Sequence, residues 1–227
     1  VFHRIGESDA ERFARFLNHF ARFMTWAAFS EGVAAMATGE LSRPVGCIRF
    51  DDGDETTVRI AMPILARLGI PACLFIVPAY ADARCCFNNR TRTAAADWDM
   101  LSHWVESGFY VGNQSYSHRL LTQLIDAEYV DDVSAAYECI ARRLGVHAYD
   151  FAYPHGRCDE RTRAILGRLP FCRSQSTICR GKMLAGHPLD RLRGDQCDAR
   201  YCARYMEIIL RGADLAPSAR RFRRLLP

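Results

Sequence analysis

Three short segments of this 227-residue chain set reactive side chains beside turn-forming ones. In Asp51-Asp52-Gly53, two adjacent carboxylates can divide labour: one holds a divalent cation while its neighbour takes a proton from water bound to that cation. The same three residues also make a good turn, and that plainer reading stays open. In Gly112-Asn113-Gln114-Ser115-Tyr116-Ser117-His118, positions 114 and 118 would share one side of a helical turn, as paired ligands to one metal do. His118 is an imidazole ligand candidate, whereas Gln114 offers a neutral amide oxygen, a poorer ligand for zinc; a lone histidine more often makes only a structural hydrogen bond. In Phe151-Ala152-Tyr153-Pro154-His155-Gly156, proline and glycine bracket one residue and fix the backbone. The His155 amide can then point into a site as an oxyanion donor, or the segment simply ends a strand.

Each segment follows an apolar run. Val45 to Phe50 reads as a buried strand, Ile70 to Val77 as a strand ended by Pro78, Phe109 to Val111 as a short strand leading into Gly112, and Tyr149 to Tyr153 as a strand ending at Pro154. Phe13, Phe16, Leu17, Phe20, Phe23 and Met24 recur at helical spacing and predict an amphipathic helix from Asp9 to about Met24. Further helices are expected over 55–68, along the stripe of Trp98, Leu101, Trp104 and Val105 up to Gly108, over 127–144 and over 160–169, with a loop from Pro78 to about Thr93. This alternation predicts an α/β fold with a mainly parallel sheet under helices, either curled toward a barrel or doubly wound. In both cases functional groups gather at the C-terminal ends of strands. No linker divides the chain, so one domain over 1–227 is expected.

Composition narrows the function classes. With 49% hydrophobic and 25% charged residues the chain is globular, and no apolar run is long enough for a transmembrane segment. A net charge of +4 spread along the sequence argues against nucleic acid as a partner; the one local cluster, Arg220, Arg221, Arg223 and Arg224, reads as a solvated tail. Ten cysteines without a Cys-x-x-Cys pair, and with Cys85 next to Cys86, read as reduced thiols rather than a disulfide framework. Arg4, Glu7, Asp9 and Glu11 interrupt any signal-peptide pattern, so a cytoplasmic location is expected. Cys172, Cys179, Cys197 and Cys202 are a minor candidate for a structural zinc site against the plainer reading as small buried hydrophobes.

In order, spacing and context the three segments together resemble the polysaccharide deacetylase family, carbohydrate esterase family four. Arg49-Phe50-Asp51-Asp52-Gly53 is similar to its Thr-Phe-Asp-Asp-Gly motif, and Gly112 to His118 to a His-x-x-x-His motif set in Gly-Asn-His-Ser-Tyr-Ser-His. Ala152 to Gly156 is similar to Arg-x-Pro-Tyr-Gly, and the His3-Arg4-Ile5 opening and Trp98-Asp99 agree as well. The resemblance implies a distorted, incomplete (β/α) barrel of mainly parallel strands. It also implies metal-dependent removal of an N-acetyl or N-formyl group from an amino sugar of a cell-envelope or exported glycan or its precursor. In these terms a divalent metal, zinc first, is held by Asp52, Gln114 and His118, and Asp51 is the base. The His155 amide steadies the oxyanion, and Tyr153, Pro154 and His155 line the sugar pocket. The family's late acid motif, Leu-x-His, is not visible; His187 is the one late histidine and the candidate acid. Two departures stand out: Gln114 replaces a ligand histidine, and Ala152 replaces an arginine that often holds the catalytic aspartate, with Asp190, Arg191 and Arg193 as candidate substitutes. A catalytically silent glycan-binding relative, or a hydrolase of another small amide, is the alternative reading.

Overall fold

Strands Ile48–Phe50 and Ala72–Ile76 are buried at every position, which only a sheet covered on both faces allows. The computed structural model describes residues 1–39, 44–84, 86–87, 93–178, 183–184 and 186–197. In chain order the elements are α1 (Ala10–Phe20), β1 (Thr25–Trp26), α2 (Phe29–Thr38), β2 (Val45–Gly46), β3 (Ile48–Phe50), a π-helical turn Thr57–Ala61 running into α3 (Met62–Leu68), β4 (Ala72–Ile76) and α4 (Pro78–Ala83). They continue with β5 (Cys86–Phe87), β6 (Thr93–Ala94), α5 (Trp98–Glu106), β7 (Tyr110–Asn113), α6 (Asp126–Leu144), β8 (Asp150–Ala152), α7 (Glu160–Leu166), β9 (Ser174–Thr177) and β10 (Leu192–Arg193).

Six strands form one parallel sheet in the order β10-β9-β8-β7-β4-β3, curled into a half-barrel with helices outside, as the (β/α) expectation requires. The gap is narrowed by the first residues. Phe2 bridges Phe50 in parallel, while the Val1 carbonyl accepts from the Cys197 amide at 2.7 Å, so this segment links the β3 edge to the chain beyond β10. The expected strand 45–50 is two short ones: Val45–Gly46 pairs with β1, and only Ile48–Phe50 enters the main sheet. The expected loop after Pro78 holds α4 and the antiparallel β5/β6 pair instead. Strands β9 and β10 and helix α2 had no counterpart in the sequence reading: β9 is Ser-Gln-Ser-Thr, polar yet buried, and β10 is only two residues long.

Alternation along β3 sorts its side chains. Ile48 and Phe50 face the helices; Phe50 is fully buried against Phe2, Phe13 and Trp104, with ring centroids 5.7, 6.1 and 6.3 Å away. Arg49 and Asp51 share the other face, inside the barrel, near Cys73, Phe75 and Ala152. Gly112 on β7 is required by this interior: a Cβ there would lie 2.3 Å from the Phe75 ring. Cys47, Cys73, Cys139, Cys158 and Cys172 are free thiols, while Cys179, Cys202 and the terminal arginines 220, 221, 223 and 224 lie outside the described residues. No described helix is long and apolar enough to cross a membrane.

Because Phe50 packs the helix layer directly before the Asp51-Asp52 turn, Phe50→Ala should destabilise the fold by about 3–5 kcal/mol in urea denaturation; a loss under about 1 kcal/mol would contradict this packing.

Candidate active site

Asp51 lies just past the end of β3, and its side chain is almost wholly buried. Arg49, two residues back on the same face, clamps it bidentately: Nε donates to Oδ1 at 2.5 Å and Nη2 to Oδ2 at 2.7 Å. Arg49 is itself buried; its Nη1 crosses the barrel to donate to Ser176 Oγ at 2.9 Å, and its guanidinium lies 4.7 Å from the Phe75 ring centroid. Ser176 is the register partner of Ala152. The guanidinium therefore sits beside Ala152, where the resemblance led to the expectation of an arginine, and a small alanine leaves it room. None of Asp190, Arg191 and Arg193 pairs with Asp51: Arg191 meets Asp190 and Glu160 instead. Arg49 was passed over in the sequence reading, although an arginine inside an apolar strand, two residues from an aspartate, needs a partner on its own face.

At the next residue the chain turns, with Asp52 and Gly53 both left-handed (φ 72° and 78°). Opposite stands the loop after β7. The expected helical turn from Gln114 to His118 is not formed, because Ser115 and His118 have φ of 65° and 57°. Side chains hold this loop: Asn113 Oδ1 accepts from the Ser115 amide at 2.8 Å, Ser115 Oγ from the His118 amide at 3.1 Å, and Asp132 Oδ1 on α6 from Ser117 Oγ at 2.7 Å. With His155 (φ 56°), four non-glycine residues of the site are left-handed, which costs about 1–3 kcal/mol each and persists only where surrounding bonds enforce it.

The result is a tight corner. Asp52 Oδ1 is 3.3 Å from His118 Nε2, close enough for both to face one ion. Gln114, almost wholly buried, lies between them: its Oε1 accepts from the Asp52 amide at 2.8 Å, and its Nε2 is 3.1 Å from Asp52 Oδ1 and 3.3 Å from His118 Nε2. Tyr80, from α4, reaches His118 Nδ1 at 3.2 Å. Burial alone would raise the Asp52 carboxyl, but hydrogen bonds from His118 and Gln114 and the charges of His3 and His118 hold it below the ordinary aspartate value.

The zinc expectation can be tested on this donor set. A three-ligand zinc site needs three ligand atoms turned inward. Here Asp52 Oδ1 and His118 Nε2 supply two, and the third position turns an amide nitrogen inward, which is a donor without a lone pair to offer. Among the described residues no group of three His, Cys, Asp or Glu side chains converges. The residues present do not fit a three-ligand zinc ion.

The third segment is only partly at this corner. Pro154 is buried, and the His155 ring stands 4.5 Å from that of His118 with its Nε2 3.1 Å from the His118 carbonyl. Tyr153, expected to line the sugar pocket, is instead buried in the layer with Tyr129 and Leu166. Its hydroxyl donates to Gln175 at 2.5 Å, and it borders a separate cavity of about 140 Å³ shared with Cys158, Arg163 and Thr177. His187 is on a loop with Nε2 2.9 Å from the Arg191 carbonyl, and no described bond joins it to Asp51, Asp52 or His118.

A family model described as polysaccharide deacetylase matches residues 38–172. Among solved structures, the chain is similar to Streptococcus pyogenes deacetylase PplD in complex with acetate (TM-score 0.78, 16% identity, 92% of this chain and 94% of that one). It is also similar to IcaB from Ammonifex degensii (0.73, 20%, 87% and 89%) and to a de-N-acetylase from Aggregatibacter actinomycetemcomitans (0.70, 14%, 88% and 87%). At these identities the likeness is one of fold. No curated protein sequence matches the chain.

Removing the guanidinium would leave Asp51 buried and unpaired, so Arg49→Ala should lower stability by about 3–5 kcal/mol, and Arg49→Lys should recover only part of it because a lysine cannot make the two-pronged contact. Urea denaturation measures both; a nearly neutral Arg49→Ala would show the pair to be incidental.

Proposed function

Because the chain belongs to the polysaccharide deacetylase family, we propose that it removes the N-acetyl or N-formyl group from an amino sugar of a cell-envelope or exported glycan, or of a precursor of one. The observation that carries this reading is the clamped Asp51. The arginine that often holds this aspartate is absent at Ala152, yet the carboxylate is gripped at both oxygens by Arg49 from another strand. A base whose support is rebuilt from a new position is the feature expected of a site still in use.

In this scheme Asp51 takes a proton from water, since each carboxylate oxygen keeps a lone pair beyond the one engaged by Arg49. The water oxygen attacks the acyl carbon, the C–O bond forms, and the oxyanion receives the His155 main-chain N–H. Collapse breaks the C–N bond, and the proton held by Asp51 passes to the leaving amine. His187 is not needed for this step. No step passes through a metal ion, because the corner offers two ligand atoms rather than three.

One observation favours a second reading, a glycan-binding relative without turnover: Asp52, Gln114 and His118 already satisfy one another. Release of acetate or formate from a panel of N-acyl amino sugars and their oligomers separates the two. Turnover is expected, with kcat falling about 10²- to 10⁴-fold in Asp51→Asn that remains folded by circular dichroism. Binding without release across the panel would overturn the hydrolytic reading.

A further inference from the structure

The orientation of the Gln114 amide follows from chemistry rather than from the similar appearance of its oxygen and nitrogen. The Asp52 main-chain N–H can only donate, so the group 2.8 Å from it must be the amide oxygen. A planar amide then turns its –NH2 the other way, toward Asp52 Oδ1 at 3.1 Å and His118 Nε2 at 3.3 Å. His118 Nε2 thus faces both the Gln114 –NH2 and, at 3.3 Å, Asp52 Oδ1, while its Nδ1 meets Tyr80 Oη at 3.2 Å.

We infer that the Gln114 amide nitrogen takes the place a cation would occupy between Asp52 and His118, so that this corner keeps its two side chains together without a resident zinc ion. A cation would draw a carboxylate and an imidazole together by contacting both, and the amide nitrogen likewise stands at 3.1 Å from Asp52 Oδ1 and 3.3 Å from His118 Nε2. For Gln114 to become a ligand through oxygen, the amide must turn over, which sets its –NH2 against the Asp52 N–H inside a site where Gln114 is 2% exposed. Zinc must therefore break three contacts to enter and finds two ligand atoms when it does. A histidine at 114 has no amide to hold the gap and would complete a three-ligand set. The inference rests on reading this corner as the substrate centre, and it makes acyl transfer there depend on Asp51 and on hydrogen bonds.

Calorimetric titration of zinc into the wild type, Gln114→His and His118→Ala tests it. Gln114→His should bind one zinc at least about 100-fold more tightly than the wild type, and zinc should raise its melting temperature while leaving that of the wild type unchanged. In metal-free buffer Gln114→Ala should melt several degrees below the wild type, because the Asp52 main-chain N–H and carboxylate lose their Gln114 partners. One zinc per wild-type chain, raising its melting temperature and lost in His118→Ala, would overturn the inference even if Gln114→His fails to fold. Acyl release keeps the two proposals apart. Release under a chelator, with no zinc taken up, supports both. Release only in a zinc-loaded wild type overturns this one and leaves the hydrolase. Neither release nor zinc uptake overturns the hydrolase and leaves this one standing.

Discussion

A guanidinium inside a barrel has to be neutralised there, and much of this structure follows from how that is done. Arg49 is enclosed by β3, β4 and β9 and meets a carboxylate, a hydroxyl and an aromatic face. Buried charge pairs are costly to form and more costly to break. The pair therefore fixes geometry more than it adds stability. It holds Asp51 at the strand end, ties β3 to β9 across the interior and requires small or polar neighbours at Ala152 and Ser176. From Asp51 onward the chain must turn at once, which places Asp52 in a left-handed conformation facing the loop after β7.

That second loop shows the same economy of means. Gln114 and His118 are brought to one place by a chain held in left-handed turns by Asn113, Ser115 and Asp132. The site is thus built from local backbone strain, paid for by the hydrogen bonds around it and by the helix layer packed on Phe50 and Trp104.

Much of this was legible in the sequence. The strand-end segments at 51–53, 112–118 and 153–156 do follow strands of one parallel sheet, because runs of buried apolar residues leave few alternatives. What escaped has physical causes. β9 is polar and buried, its Ser174 and Ser176 hydroxyls bonded to Asp150 and to the Phe151 carbonyl, so no hydrophobic pattern marks it. Spacing of four suggested a helix for Gln114 and His118, whereas side-chain bonds to the backbone stabilise another path. Tyr153 went to the core because alternation puts it on the helix side of its strand. Arg49 was visible in the motif, where it stands against a threonine, yet its charge, which clamps both oxygens of Asp51, was passed over.

The double-mutant cycle between positions 49 and 152 tests the central claim most directly. Arg49→Thr removes the clamp and Ala152→Arg alone crowds a second guanidinium into the same space, so each should destabilise the fold in urea. If one guanidinium beside Asp51 is what the interior requires, the double variant should regain stability, with a favourable coupling of about 1–3 kcal/mol. Additive losses, with no recovery in the double variant, would contradict the claim that Arg49 fills the role left open at Ala152.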